Sequence, residues 1–184
     1  PGLPRESNPD VVTALARRGG RPEPWAWQDR LGLDPELLAM TPQPVAAVIL
    51  LFPCTDNIYR HRAKEERVLR GTRPTEAATS AYHLEQVASF GNACGTIAAV
   101  HSLANANVGV AGPIRAFREE TIAQTPTQRG QALLTTRHLK VESDGAAEHA
   151  AAQTACPSRD GPDLDHHYCA FVPIMAAGEL HVIE

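Results

Sequence analysis

The chain has no apolar run long enough for a membrane helix, which needs ~20 residues; its longest, Val45 to Phe52, has the length of a strand. It also has no apolar segment behind a basic N-terminal start, so secretion is not indicated. No CxxC pair occurs: Cys54, Cys94, Cys156 and Cys169 are widely and irregularly spaced, which argues against a zinc site or a redox motif and fits a reducing compartment, the cytoplasm. Positive charge is not in excess either. Lys and Arg number 17 against 21 Asp and Glu, for a net charge of −4, whereas nucleic-acid phosphates call for clustered basic residues. The clusters Arg17-Arg18 and Arg60-His61-Arg62 are short and read as solvated faces. Internal repeats are lacking as well. What is present, 184 residues of which 43% are hydrophobic, is enough to bury a sizeable core in one domain over residues 1–184. The opening residue is Pro1 rather than Met, as expected of a fragment.

Local patterning predicts mixed helix and strand. Asn8-Pro9-Asp10 followed by Val11 to Arg18 reads as a helix stopped by Gly19-Gly20. Pro22 and Pro24 predict an extended segment ending in Trp25-Ala26-Trp27, and Asp34-Pro35-Glu36-Leu37-Leu38 predicts a helix with Asp34 as N-cap and proline at its first position. Val45 to Phe52, β-branched and continuous, predicts a central strand buried on both faces and closed by Pro53. A surface helix is expected around Ala63 to Leu69, a further helix over Pro113 to Ile122 with Ile114 and Phe117 on one face, and a short strand over Arg137 to Val141. Glu142 to Pro162, containing His149 and Cys156, lacks apolar periodicity and reads as a functional loop or a disordered stretch.

The chemistry centres on Asn92-Ala93-Cys94-Gly95-Thr96, a cysteine between small residues where a helix begins. The positive end of a helix dipole and its unpaired N–H groups favour thiolate, the attacking form of cysteine. A partner base stands in Asp165-His166-His167-Tyr168-Cys169-Ala170-Phe171-Val172, where histidine opens an apolar run that reads as a buried strand. Cysteine on a helix start followed by histidine on a later strand is the chain order of papain-like thiol hydrolases. Adjacent strand residues point to opposite faces, so only one of His166 and His167 can face the thiol. Cys169 in the apolar strand and His101 within the helix read as core residues, and Asp163 and Asp165 as solvated carboxylates. A zinc set of His149, Cys156, His166 and His167 matches no closed tetrahedral spacing, so no metal and no cofactor are expected.

Five ordered blocks resemble the ubiquitin carboxyl-terminal hydrolases: Leu3-Pro4-Arg5-Glu6-Ser7-Asn8-Pro9, Leu33 to Met40, Pro44 to Pro53, Asn92 to Ile97, and His167. The resemblance implies an α/β (α+β) domain with the papain-like ubiquitin-hydrolase fold, a mostly antiparallel sheet flanked by helices. It implies thiol-dependent hydrolysis at the C-terminal glycine of ubiquitin, with Cys94 as nucleophile and His167 as base. Tyr82-His83-Leu84-Glu85-Gln86 is similar to the family's segment before the cysteine, which makes Gln86 the implied oxyanion donor. Leu3, Pro4, Arg5 and Glu6 match the ubiquitin-contacting segment, with Arg5 where the family often has an apolar residue. The loop before the histidine strand resembles the family's active-site crossover loop. Ubiquitin and its C-terminal adducts are the implied partners, with nucleic acid and membrane excluded.

The chain departs from the family pattern in two further places. Gln86 lies eight residues before Cys94, two more than is usual in the family, and strict spacing would place Ala88 at the donor position. Gly178 to Glu184 resembles the strand that leads to the family's histidine-orienting aspartate, and the sequence ends before that residue and the closing C-terminal strands; Glu184 would replace it only if the strand shifted by two residues. The alternative expectation is therefore a catalytically impaired ubiquitin-binding protein or a truncated, non-functional fragment.

Overall fold

Gly19-Gly20 ends a helical stretch that includes Ala16 to Arg18, and the stop has a second use. Gly20 sits at φ +103°, and a Cβ there would meet the Ala111 carbonyl oxygen at 1.7 Å. Glycine is needed both for the left-handed backbone and for the close approach. The turn docks the start of a later helix, with Ala111 N–H donating to Gly20 O at 2.8 Å and Ile114 N–H to Gly19 O at 3.1 Å. In this computed structural model the described residues are Thr13, 16–69, 81–87, 93–136, 166–176 and 179–183. Leu3 to Glu6, Ala88, the strand expected over 137–141, the loop 142–162 with His149 and Cys156, Asp163, Asp165 and Glu184 lie outside them.

Helix α1 (Pro35–Ala39) has proline in its first turn and Asp34 at the N-cap, but the Asp34 side chain makes no capping hydrogen bond. Strand β1 (Val48–Pro53) and the exposed helix α2 (Asp56–Leu69) follow. Helix α3 (Cys94–Asn105) is buried at every residue from Ile97 to Leu103, because it is packed on one side by α4 (Gly112–Thr121) and on the other by β2 (His166–Ala176). A helix made mainly of small and apolar residues and carrying no charge belongs at such a centre. In α4 the buried residues Ile114, Phe117 and Thr121 form one stripe, as the spacing predicts. Helix α5 (Pro126–Thr135) begins with a capping box: Gln128 N–H donates to Thr125 Oγ1 at 3.3 Å, and Thr125 N–H donates to Gln128 Oε1 at 2.9 Å.

The described strands form an antiparallel sheet in the order β1-β2-β3, with β3 spanning Glu179–Ile183. β1 pairs with the first half of β2, Val48 opposite Phe171 through Pro53 opposite His166, and β3 pairs with the second half. This corrects the expectation of a central strand buried on both faces. Among the described residues β1 is at the end of the order, and Val48, Leu50 and Leu51 are 54%, 46% and 37% exposed. An apolar run reports local hydrophobicity, whereas burial depends on strands and helices contributed from elsewhere in the chain. Pro53 at the strand end fits that position, since proline cannot donate to a neighbouring strand. The core lies on the helical side, where Tyr82, Leu84, Ala93, Ile97, Val100, Leu103, Ile114, Phe117 and Leu133 pack together.

Candidate active site

Cys94 is the first residue of α3 and is half-buried. The N-cap, Ala93, is itself buried and has no side-chain acceptor, while Ile97 N–H donates to Ala93 O at 2.9 Å, so the helix is regular from its start. The positive end of the α3 dipole therefore lies at the thiol. Cys54, just beyond β1, is half-buried, and Cys169 is buried within β2.

His167 stands near the start of β2, opposite Phe52 in the register, and the two rings meet edge-on with centroids 5.7 Å apart and planes at 70°. Two residues on, Cys169 accepts a hydrogen bond from Arg62 Nη1 at 3.5 Å, and the same guanidinium lies over the Phe52 ring, 5.8 Å from its centroid. His166, opposite Pro53, is exposed. The two adjacent histidines thus differ in surroundings, as alternation along a strand requires. Because α3 packs directly on β2, the helix that begins with Cys94 and the strand that carries His167 are neighbours in the fold.

Gln86 is exposed near the end of an extended run, residues 81–87, that is held on both sides. From α3, the Asn105 side chain takes both backbone groups of Tyr82: its Oδ1 accepts the N–H at 2.7 Å and its Nδ2 donates to the carbonyl at 2.8 Å. His101 Nε2 accepts Leu84 N–H at 3.1 Å. From α5, Arg129 Nη1 donates to His83 O at 2.8 Å, and Pro126 O accepts Glu85 N–H at 3.0 Å. Gly130 makes the approach possible, since a Cβ there would lie 2.0 Å from Glu85 O. Sequence reasoning reads His101 as a packed histidine but misses the bond it accepts, and misses Asn105 and Arg129 entirely. The sequence contains a signal for α5 in Thr125-Pro126-Thr127-Gln128, a capping box with proline at the first helical position.

The polar groups of this network are buried and matched. Thr121 Oγ1 donates to Phe117 O at 2.6 Å, which leaves the Tyr82 hydroxyl to donate to Thr121 Oγ1, also at 2.6 Å. Burial raises the Tyr82 phenol above its ordinary value. Arg129 is 5% exposed, donates also to Thr121 O and Ile122 O, and lies 4.7 Å from the centroid of the Tyr82 ring. His101 stacks on His83 at 5.1 Å; burial first, then the neighbouring imidazole, lower its pKa to about 4. At neutral pH its Nε2 is accordingly free to accept. Among the described residues no group of three or more His, Cys, Asp or Glu is arranged to hold a metal ion, and no helix is long and apolar enough to cross a membrane.

Residues 3–183 match the family model described as ubiquitin carboxyl-terminal hydrolase, family 1. The chain belongs to this family. It is 32% identical over 171 residues to a ubiquitin carboxyl-terminal hydrolase of Drosophila melanogaster, covering 92% of this chain and 72% of that protein. It is 36% identical over 178 residues to one from Aplysia californica, covering 92% of this chain and 76% of the relative. The crystal structure of the Trichinella spiralis UCH37 catalytic domain bound to ubiquitin vinyl methyl ester superposes on all of this chain and 77% of that one, with a TM-score of 0.68 at 16% identity. At that identity the likeness concerns the fold, which for this ubiquitin hydrolase is the mixed helix-and-antiparallel-sheet arrangement expected from its sequence.

Proposed function

We propose that this chain hydrolyses ester, thioester, amide and peptide bonds at the C-terminal glycine of ubiquitin, with Cys94 as nucleophile and His167 as base. The supporting observation is that α3, which opens with Cys94, packs on β2, which carries His167. His167 accepts the thiol proton as sulfur attacks the glycine carbonyl. The oxyanion is received by the Cys94 backbone N–H and the Gln86 side-chain amide, and His167 returns the proton to the leaving group. Water, deprotonated by the same imidazole, then releases ubiquitin from the thioester. The nucleophile, base and oxyanion-donor roles fall to side chains and backbone, so the reaction calls for no cofactor. Leu3, Pro4, Arg5 and Glu6 are the proposed ubiquitin contacts, and the cytoplasm, which keeps a thiol reduced, is the proposed compartment.

The test is labelling by ubiquitin bearing a C-terminal vinyl methyl ester. The wild-type chain is expected to form a stable adduct that Cys94→Ser abolishes, with Cys54, Cys156 and Cys169 each replaceable by Ser. Ubiquitin binding without labelling would identify an impaired binding protein, and labelling that survives Cys94→Ser would refute the nucleophile.

A further inference from the structure

The oxyanion donor raises a problem of distance. Residues 87–93 separate Gln86 from Cys94, and a connection two residues longer than the family's usual one would displace the glutamine if the connection set its position. The hydrogen bonds place that control elsewhere. His101 and Asn105 follow Cys94 on α3 by seven and eleven residues, and at ~100° per residue both fall within about 20° of the thiol's own face of the helix. Tyr82 is bonded to Asn105 and Leu84 to His101. Two residues of the run therefore match four residues of the helix, about 6.6 Å of extended chain against about 6.0 Å of helix rise. Continued by two more residues, the same match brings Gln86 level with the first turn of α3, the turn that Cys94 opens.

Resting on the reading of Cys94 and Gln86 given above, the geometry points to His101 and Asn105 as positioning residues for the oxyanion donor: they register Gln86 against Cys94 through the helix that carries the nucleophile. The backbone from 87 to 93 is then free to vary in length without moving the donor. Two observations support the assignment. His101 is buried and unprotonated at neutral pH, so the Leu84 N–H keeps its acceptor. On the opposite side, Arg129 and Pro126 bond His83 and Glu85, the alternate residues of the run, so it cannot slide against α3 without breaking bonds to α5.

The test is a double-mutant cycle on kcat with ubiquitin carrying a fluorogenic C-terminal amide. Gln86→Ala is expected to lower kcat by roughly 10²-fold, the effect of losing one oxyanion donor. His101→Phe, which removes the acceptor and keeps the bulk, is expected to lower kcat by roughly 10-fold or more with KM nearly unchanged, as displacement of a reacting group does. In the Gln86→Ala background His101→Phe should cost less than about 2-fold, because the two act through one donor. His101→Gln, which retains an acceptor, should recover most of the rate. Should His101→Phe fail to fold by circular dichroism, Asn105→Ala at the half-buried end of α3 carries the same cycle with the same expected non-additivity. Wild-type kcat in the positioning variants, a full loss that persists in the Gln86→Ala background, or a neutral Gln86→Ala would each overturn the assignment. A wild-type chain without turnover would instead sink the proposed function and the positioning role together, whereas Cys94-dependent turnover with unimpaired positioning variants sinks the positioning role alone.

Discussion

The two sides of α3 are built differently. On the side of the 81–87 run, α4 and α5, the backbone is held by buried and part-buried hydrogen bonds to side chains distant in sequence, with Asn105, His101 and Arg129 as the hubs. On the side of β1 and α2 the chain is largely exposed, and what reaches the site is a strand register, the edge-on contact of Phe52 with His167, and Arg62 on Cys169. With Gln86 and His167 in their proposed roles, the difference would divide the precision of a thiol hydrolase between the two sides. Donors for a developing oxyanion must be preset, because their worth depends on costing no reorganisation as charge appears. A base that moves a proton in both directions must come within hydrogen-bond reach at each step.

That contrast can be broken most forcefully at Arg129. Replacing it with Met strips three carbonyls, of Thr121, His83 and Ile122, of a buried charged donor, and charge-assisted bonds of this kind contribute about 1.5–3 kcal/mol each. Arg129→Met is expected to lower unfolding free energy by about 3 kcal/mol or more in urea titration. A loss under 1 kcal/mol would show that the network does not carry the helical side.

A pH series sharpens the same point. His101 has a pKa of about 4 in the fold against an ordinary value of 6.5. Between these values the unfolded chain binds a proton that the folded chain refuses, so stability is full above pH 6.5 and falls as pH drops toward 4. At 1.36 kcal/mol per unit the loss reaches about 3 kcal/mol. The wild-type chain minus His101→Gln isolates this slope from the carboxylates, and equal slopes in the two proteins would contradict a buried, neutral His101. The smallest effect is expected on the opposite side of the comparison. Leu50 is 46% exposed on β1, and Leu50→Thr should stay within about 0.5 kcal/mol of wild type, the usual range for surface changes. A loss like that of Arg129→Met would erase the distinction between the two sides.

What was legible in the sequence was local. Gly19-Gly20 stops a helix and Gly20 does adopt positive φ; Pro113 with Ile114 and Phe117 marks α4; Cys94 between small residues opens α3. What was not legible depends on partners remote in the chain. The bonds from Leu84 to His101 and from Arg129 to His83 join residues 17 and 46 apart, and no periodicity announces them. β1 failed for the same reason, since an apolar run carries no count of the strands that will flank it. The spacing of Gln86 from Cys94, a departure when read along the chain, gives no sign that α3 and α5 hold the run that carries Gln86.

The central claim, that the thiol at the start of α3 works with one particular imidazole of β2, is tested most directly by the paired variants His167→Asn and His166→Asn. Turnover of a fluorogenic ubiquitin substrate should fall by about 10⁴-fold or more in the first, as expected when a triad member is lost, and by less than about 3-fold in the second, whose side chain is exposed. Equal losses in the two proteins, or a larger loss from His166→Asn, would contradict the account.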